Sequence, residues 1–168
     1  MRSVNIDLIY DLTGQSLDGF RRTLDTVVAM RPDRLAVYSY AHLPHIFKPQ
    51  KQIDDALLPD PDTKLALLQA AVEQLTAAGY VYIGMDHFAL PDDELAVAQA
   101  RGGLHRNFMG YTTHADSDLV GLGVSAISHI GNSFSQNPRD LPSWEIALDE
   151  GRLPVFRGMR MDEDDEIR

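Results

Sequence analysis

The chain has 168 residues, about the length of one domain, and it contains no Cys. That absence excludes a disulfide scaffold, a Cys nucleophile, a thiolate zinc site and a self-ligated iron–sulfur cluster. It also makes a reducing, cytoplasmic setting the expectation. With 15 basic and 25 acidic side chains the net charge is −10. Such a balance argues against a general nucleic-acid surface, which must neutralise phosphates, and against a polybasic membrane contact. No run of residues approaches the ~20 apolar positions of a membrane span, and MRSVNIDLIY lacks the apolar core of a secretory signal.

Val4 to Tyr10 (VNIDLIY) reads as a buried strand of a parallel sheet. A strand of that kind rarely opens a domain without a neighbour on each side. At the other end, MDEDDEIR reads as the acidic first turn of a helix with no body. Both ends look cut, so the chain is expected to be an internal piece of something longer. Ser16 is placed to cap a helix over Leu17 to Met30, with Phe20, Leu24, Val27 and Val28 on its core face. Pro32 ends it, and Arg34 to Ala41 (RLAVYSYA) is the second strand. Strand, helix and strand with short joints predict a parallel βαβ unit. His42 to Leu58 is a long polar connection, and connections of that length inside a domain are usually functional. Asp60-Pro61 starts a second helix, with Leu65, Leu68, Val72 and Leu75 on its buried face and Gly79 as its stop. Tyr80 to His87 (YVYIGMDH) is the third strand, giving a β-α-β-α-β order of parallel strands with helices outside. Asp93 to Arg101 is a short helix, and Gly102 to Thr113 a surface loop. Leu119 to Ile130 suits a strand with close backbone approach at Gly121 and Gly123. Pro142 to Glu150 is a helix and Val155 to Met161 a short strand.

In a parallel β/α array the loops after the strand ends line the ligand site. That topology gathers His42, His45, Asp86 and His87 on one rim. His42 and His45 stand three apart, a metal-binding spacing on a helix, but Pro44 between them disfavours a helix and leaves them as loop histidines. Asp86 and His87 form a possible acid–base or ligand pair, yet adjacent residues on one strand point to opposite faces. Arg106 suits bidentate grip of a carboxylate, and Asn107 suits orienting it. Gly121-Leu122-Gly123 lacks the third glycine of a dinucleotide fingerprint. Asp7 is the sharpest residue: a carboxylate in so apolar a strand must be paired or exposed at a site, and it shares a face with Asn5.

Five stretches, VNIDLIYDLTGQS, YSYAHLPHIFKPQ, GYVYIGMDHFALPDDELAVAQ, LHRNFMGYTTHADSDLVGLGVSAIS and SFSQN, follow one another in one order. In that order they resemble oxygen-independent coproporphyrinogen III oxidase, a radical S-adenosylmethionine family of haem biosynthesis. The likeness runs from Val4 to about Met161, and it favours the oxidase over its haem-chaperone relative because His105-Arg106-Asn107-Phe108 replaces that group's His-Asn-x-x-Tyr-Trp element.

The resemblance implies an α/β fold that is part of an open (β/α) radical-SAM barrel. Residues 1–168 would then be a single segment of the catalytic domain, with the cluster-binding N-terminal part and a C-terminal helical region lying outside it. It implies oxidative decarboxylation of two propionates of coproporphyrinogen III to vinyls, giving protoporphyrinogen IX. The implied cofactors are two S-adenosylmethionine molecules and a 4Fe-4S cluster, whose Cys ligands this chain lacks; the electron donor is not identified. Matched motif to motif, Asp7 and Ala41 correspond to contacts with the second S-adenosylmethionine and Ile127 to a contact with the first. His42, His87, Arg106, Asn107 and Met109 are the substrate-side candidates, with no residue assigned as catalytic and none as a metal ligand.

Three positions depart from the family pattern: Asp11 and Thr13 stand where Gly and Pro are usual, and Met109 where Gln is common. They bear on substrate positioning. The chain alone is expected to be inactive. Its alternatives are a binding module for S-adenosylmethionine or a tetrapyrrole without catalysis, and a metal-assisted hydrolase built on His42, Asp86 and His87. Exposed sheet edges predict self-association. Neither nucleic acid nor membrane is an expected partner.

Overall fold

The structure is a computed structural model in which residues 3–162 and Asp165 are described. The helix start read in MDEDDEIR lies largely outside them. The chain divides into two compact units, Met1–Leu104 and His105–Arg168. No helix among the described residues is long and apolar enough to cross a membrane.

In the first unit, strand β1 (Asn5–Tyr10) pairs in parallel with β2 (Arg34–Ser39), from Asn5 opposite Arg34 to Tyr10 opposite Ser39. Helix α1 (Leu17–Met30) makes the crossover. Ser16 accepts the Gly19 N–H, and Arg31 closes the helix in the left-handed region (φ 49°), donating to the Val27 and Val28 carbonyls. The predicted βαβ unit is therefore present, with the predicted helix bounds. The long connection is ordered: Gln50 accepts from the Leu43 N–H at 2.6 Å and donates to the Ala41 carbonyl at 3.0 Å.

Helix α2 (Pro61–Ala77) begins as predicted, with Asp60 accepting from the Asp62 and Thr63 N–H groups, and Gly79 follows it at φ 92°. Its buried face differs from the expectation. Leu67, Ala70, Ala71 and Leu75 are buried, Leu68 and Val72 are partly buried, and Leu65 is 63% exposed. The stripe runs at four-residue steps through Leu67, Ala71 and Leu75, and Leu65 lies about a third of a turn of azimuth away from its centre.

The third predicted strand breaks at Gly84. Strand β3 (Val81–Gly84) and strand β4 (His87–Ala89) form a hairpin, with Gly84 at φ 145° and Met85 at φ 51°. Strand β4 runs antiparallel to both β2 and β3, so the sheet order is β1-β2-β4-β3. The expectation of all-parallel strands is thus corrected: β1, β2 and β3 share a direction, and β4 is inserted against them. Residues 80–87 are apolar enough for one strand, and the reversal depends on backbone angles that hydrophobic pattern does not report. Strand β1 is also not buried on both faces: Asn5, Asp7 and Ile9 are exposed.

One face of this sheet forms the core. Tyr10, Leu35, Val37 and Phe88 pack with Phe20, Leu24 and Val27 of α1 and with Leu67, Ala71 and Leu75 of α2. Complete burial of each large aliphatic or aromatic side chain there contributes about 1.5–3 kcal/mol. Helix α3 (Glu94–Ala100), capped by Asp93, closes the unit. Arg34 fastens it, with Nε donating to Asp93 and Nη2 to Glu94, both at 2.8 Å.

In the second unit, the predicted loop is a hairpin of β5 (His105–Asn107) and β6 (Gly110–Thr112). A separate antiparallel sheet contains β7 (Ile127–Ile130), β8 (Ser133–Gln136) and β9 (Arg157–Arg160). Only the end of the predicted strand Leu119 to Ile130 is a strand; Leu119 returns to bridge His129 through two 2.8 Å backbone bonds. Strand β8 was not anticipated, because SFSQ carries one apolar residue and no alternation. Helix α4 (Leu141–Asp149) is capped by Asp140. The architecture is mixed α/β, and the described residues form sheets of four, two and three strands without a barrel.

The caps make helix stability pH-dependent. Hydrogen bonds from the Thr63 backbone and hydroxyl hold the Asp60 carboxyl below the usual carboxylate range, and bonds from Ser143 do the same for Asp140. A carboxyl depressed in the folded state stabilises above its unfolded pKa, and that contribution is lost as pH falls through the folded value. Asp60→Asn is expected to flatten the acid limb of helix stability, read by circular dichroism melts from pH 6 downward; an unchanged acid limb would refute the assignment.

Candidate functional site

Period-two alternation sorts the first sheet into two faces. Leu8, Tyr10, Leu35, Val37 and Phe88 turn to the helices, so Asn5, Asp7, Ile9, Ala36, Tyr38 and His87 turn to the other side. Register places Asp7 beside Ala36 and Ala36 beside His87, one row across three strands. Asn5 donates to Asp7 Oδ1 at 2.6 Å, as their shared face predicted. The Tyr38 ring meets His87 edge-on at 6.0 Å. Burial, then the charges of Asp7 and Asp86, push the Tyr38 phenol up, so it stays protonated through neutral pH and beyond.

Asp86 and His87 do come together. Asp86 sits in the turn before β4, not on a strand, and its Oδ1 lies 2.7 Å from His87 Nδ1. Alternation of strand faces therefore does not separate this pair. His42 is engaged elsewhere: its Nε2 lies 2.8 Å from Asp55 Oδ1, and Tyr40 O–H is 3.5 Å from Nδ1. His45 is exposed. Among the described residues no group of three or more His, Asp or Glu could hold a metal ion. Ala41 lies just beyond β2, its carbonyl already accepting from Gln50.

Asp11 is the position where the resemblance leads to an expectation of Gly. It occupies the left-handed region (φ 70°), where Gly is unstrained, and is 7% exposed. Its carboxylate is held by Lys64 Nζ at 2.5 Å, from the first turn of α2.

In the second unit, Arg106 and Tyr111 are cross-strand partners, with the guanidinium 5.7 Å from the ring centre. Asn107 Oδ1 accepts from the Met109 N–H at 2.8 Å, and Met109 projects outward, 82% exposed. Ile127 lines a cavity of about 280 Å³ with Phe108, Phe134, Arg157 and Met159. Gly121 is the close approach that the sequence suggested: a Cβ there would sit 2.6 Å from the Ile127 carbonyl oxygen. Gly123 is not one; it is needed for its φ of 94°. Tyr38, His129 and Phe134 escaped the sequence reading, since each scans as an ordinary β-sheet residue.

No family model matches the chain. Curated relatives match along its length. Oxygen-independent coproporphyrinogen III oxidase of Pseudomonas aeruginosa is 58% identical over 167 residues, which is 99% of this chain and 36% of that protein. The Escherichia coli K12 protein of the same name is 54% identical over 166 residues, again 99% and 36%. A solved structure, coproporphyrinogen III oxidase (HemN) from Escherichia coli, described as a radical SAM enzyme, superposes with a TM-score of 0.96 at 53% identity. It covers 99% of this chain and 38% of the solved one. Over nearly its whole length the chain is similar to one segment of the oxygen-independent coproporphyrinogen III oxidases. It spans little more than a third of the length of these relatives. Of the residues singled out in the sequence, the first unit carries Asp7, Ala41, His42 and His87, and the second carries Arg106, Asn107, Met109 and Ile127.

Two outcomes test this geometry. Asp7→Asn removes one of the charges that raise the Tyr38 phenol, so the tyrosine titration step that disappears in Tyr38→Phe is expected to move to lower pH in absorbance titrations. Gly121→Ala is expected to cost about 1–3 kcal/mol in urea unfolding by overpacking against Ile127. Gly103→Ala, whose Cβ would meet nothing nearer than 3.9 Å, is the control and should stay within about 0.5 kcal/mol.

Proposed function

We propose that the chain supplies part of the catalytic domain of an oxygen-independent coproporphyrinogen III oxidase, an enzyme that oxidatively decarboxylates two propionates of coproporphyrinogen III to give protoporphyrinogen IX. The observation that carries this reading is the 0.96 TM-score at 53% identity over 99% of the chain. In this reading the two units belong to an open β/α barrel that the longer protein completes.

The residues fit S-adenosylmethionine and do not fit an iron–sulfur cluster. With no Cys in the chain and no three-residue His, Asp or Glu group among the described residues, nothing here would hold the cluster, and no step is assigned to it. S-adenosylmethionine, when bound in such an enzyme, supplies the radical chemistry. This chain's share is binding and orientation. Asp7, exposed and held by Asn5, offers a carboxylate to ammonium or hydroxyl groups. Ala41 is left with backbone and methyl contacts, and Ile127 offers an apolar side chain to its cavity. The protonated Tyr38 phenol beside Asp7 is a hydrogen-bond donor at that face. His42, His87, Arg106, Asn107 and Met109 are on the substrate side, the first of them steadied by Asp55.

For the 168 residues by themselves, the lack of thiolates favours the second reading, a module that binds S-adenosylmethionine or a tetrapyrrole without turnover. The chain alone, given reductant and S-adenosylmethionine, is expected to form no vinyl product. Grafted in place of the matching segment of the Pseudomonas aeruginosa enzyme, it is expected to restore protoporphyrinogen formation, and Asp7→Asn in that graft to lower it at least tenfold. Product from the isolated chain, or a folded graft without activity, would defeat the proposal.

A further inference from the structure

The second unit holds a cavity of about 450 Å³ lined by Arg106, Asn107, Phe108, His129 and Phe134. Its walls separate by chemistry. One is aromatic: Phe134 lies flat on His129 at 4.1 Å with 5° between planes, and Phe108 meets Phe134 edge-on at 5.5 Å. His129 Nε2 is buried with no hydrogen-bond partner among the described residues, and the imidazole's known contact is the ring face stacked on Phe134. The other wall is polar. The Arg106 guanidinium is steadied over Tyr111, and Asn107 spends its carbonyl oxygen on the Met109 N–H, which leaves its amide N–H groups as donors. Fixed N–H donors beside a guanidinium suit a carboxylate, and ring faces suit an apolar ring. Phe108 and Phe134 also line the cavity that contains Ile127, so the two cavities share an aromatic partition.

We propose that this cavity is a subsite for one carboxylate arm of a tetrapyrrole, with the arm gripped by Arg106 and Asn107 and the adjoining pyrrole ring resting on the Phe134–His129 stack. The substrate class rests on the oxidase reading above; the carboxylate grip rests on the cavity alone. Position across the partition from Ile127 sets the arm next to a contact assigned to S-adenosylmethionine. Arg157, in the neighbouring cavity, is committed to Gln136 at 2.8 Å and takes no part.

The net charge of −10 makes the test sharp, since long-range electrostatics disfavours a polycarboxylate. Absorbance titrations of the full 168-residue chain would compare coproporphyrin III with its tetramethyl ester, the same ring without charges. The acid is expected to bind at least tenfold tighter than the ester. Arg106→Gln is expected to weaken the acid about tenfold, as loss of a charge-assisted pair should, and to leave the ester unchanged. Arg106→Lys should fall between, and the exposed Arg139→Gln should match the native chain. Saturating S-adenosylmethionine, which brings its own carboxylate, should not displace the porphyrin. Equal binding of acid and ester, no binding of either, displacement by S-adenosylmethionine, or indifference to Arg106→Gln would each overturn the subsite. The acid–ester comparison uses the native chain and stands if a variant does not fold. An inactive graft with Arg106-dependent acid binding would sink the oxidase reading and leave the carboxylate site; an active graft without that dependence would do the reverse.

Discussion

The parallel pairing of Asn5–Tyr10 with Arg34–Ser39 is the constraint from which the first unit's chemistry follows. Side chains alternate across a sheet, so committing Leu8, Tyr10, Leu35 and Val37 to the helices commits Asp7 and Tyr38 to the other face. A slip of one residue would exchange the two sets, placing a carboxylate in the core and aliphatic groups in solvent. The core therefore holds the register, and the register aims the polar groups. Asp7 needs no burial of its own to be positioned; it is oriented by its neighbours' hydrophobicity and by the 2.6 Å bond from Asn5.

Insertion of β4 completes that arrangement from the other side. It brings His87 level with Asp7 and lets Asp86 fold back onto the imidazole. Much of the unit was legible in the sequence because its signals are local. Ser16, Asp60 and Asp93 each announced a helix start, and the apolar spacing of α1 named its buried residues. Asp7 stood out as a charge in an apolar run. The hairpin did not announce itself, since a positive φ at Met85 leaves no trace in residue type. The same limit hid the Asp86–His87 contact, which follows only once the chain is known to reverse between them.

The second unit was less readable for a different reason. Its strands are three or four residues long and rich in Ser, Gly and Arg, too short for periodicity to separate strand from loop. What could be read were isolated chemical oddities: Arg106 with Asn107, and the glycines near 121. Gly121 proved to be a backbone contact with Ile127, so a position with no side chain governs where a proposed ligand contact sits. Ala41 and Ile127 themselves carry no chemical signal and were reachable only through likeness to a family.

The Asp11–Lys64 pair sets an order on how these two positions can drift. If Lys64 is lost first, a carboxylate remains enclosed at a left-handed backbone position with neither its counter-ion nor a relaxed main chain. If Asp11 becomes glycine first, the backbone relaxes and Lys64, nearly half exposed, swings into solvent. Exchange of the aspartate for glycine is then the permissive step, and the lysine is free to vary only after it. Lineages with Asp at this turn should keep a cation facing it from the second helix, whereas those with Gly should show no such restriction.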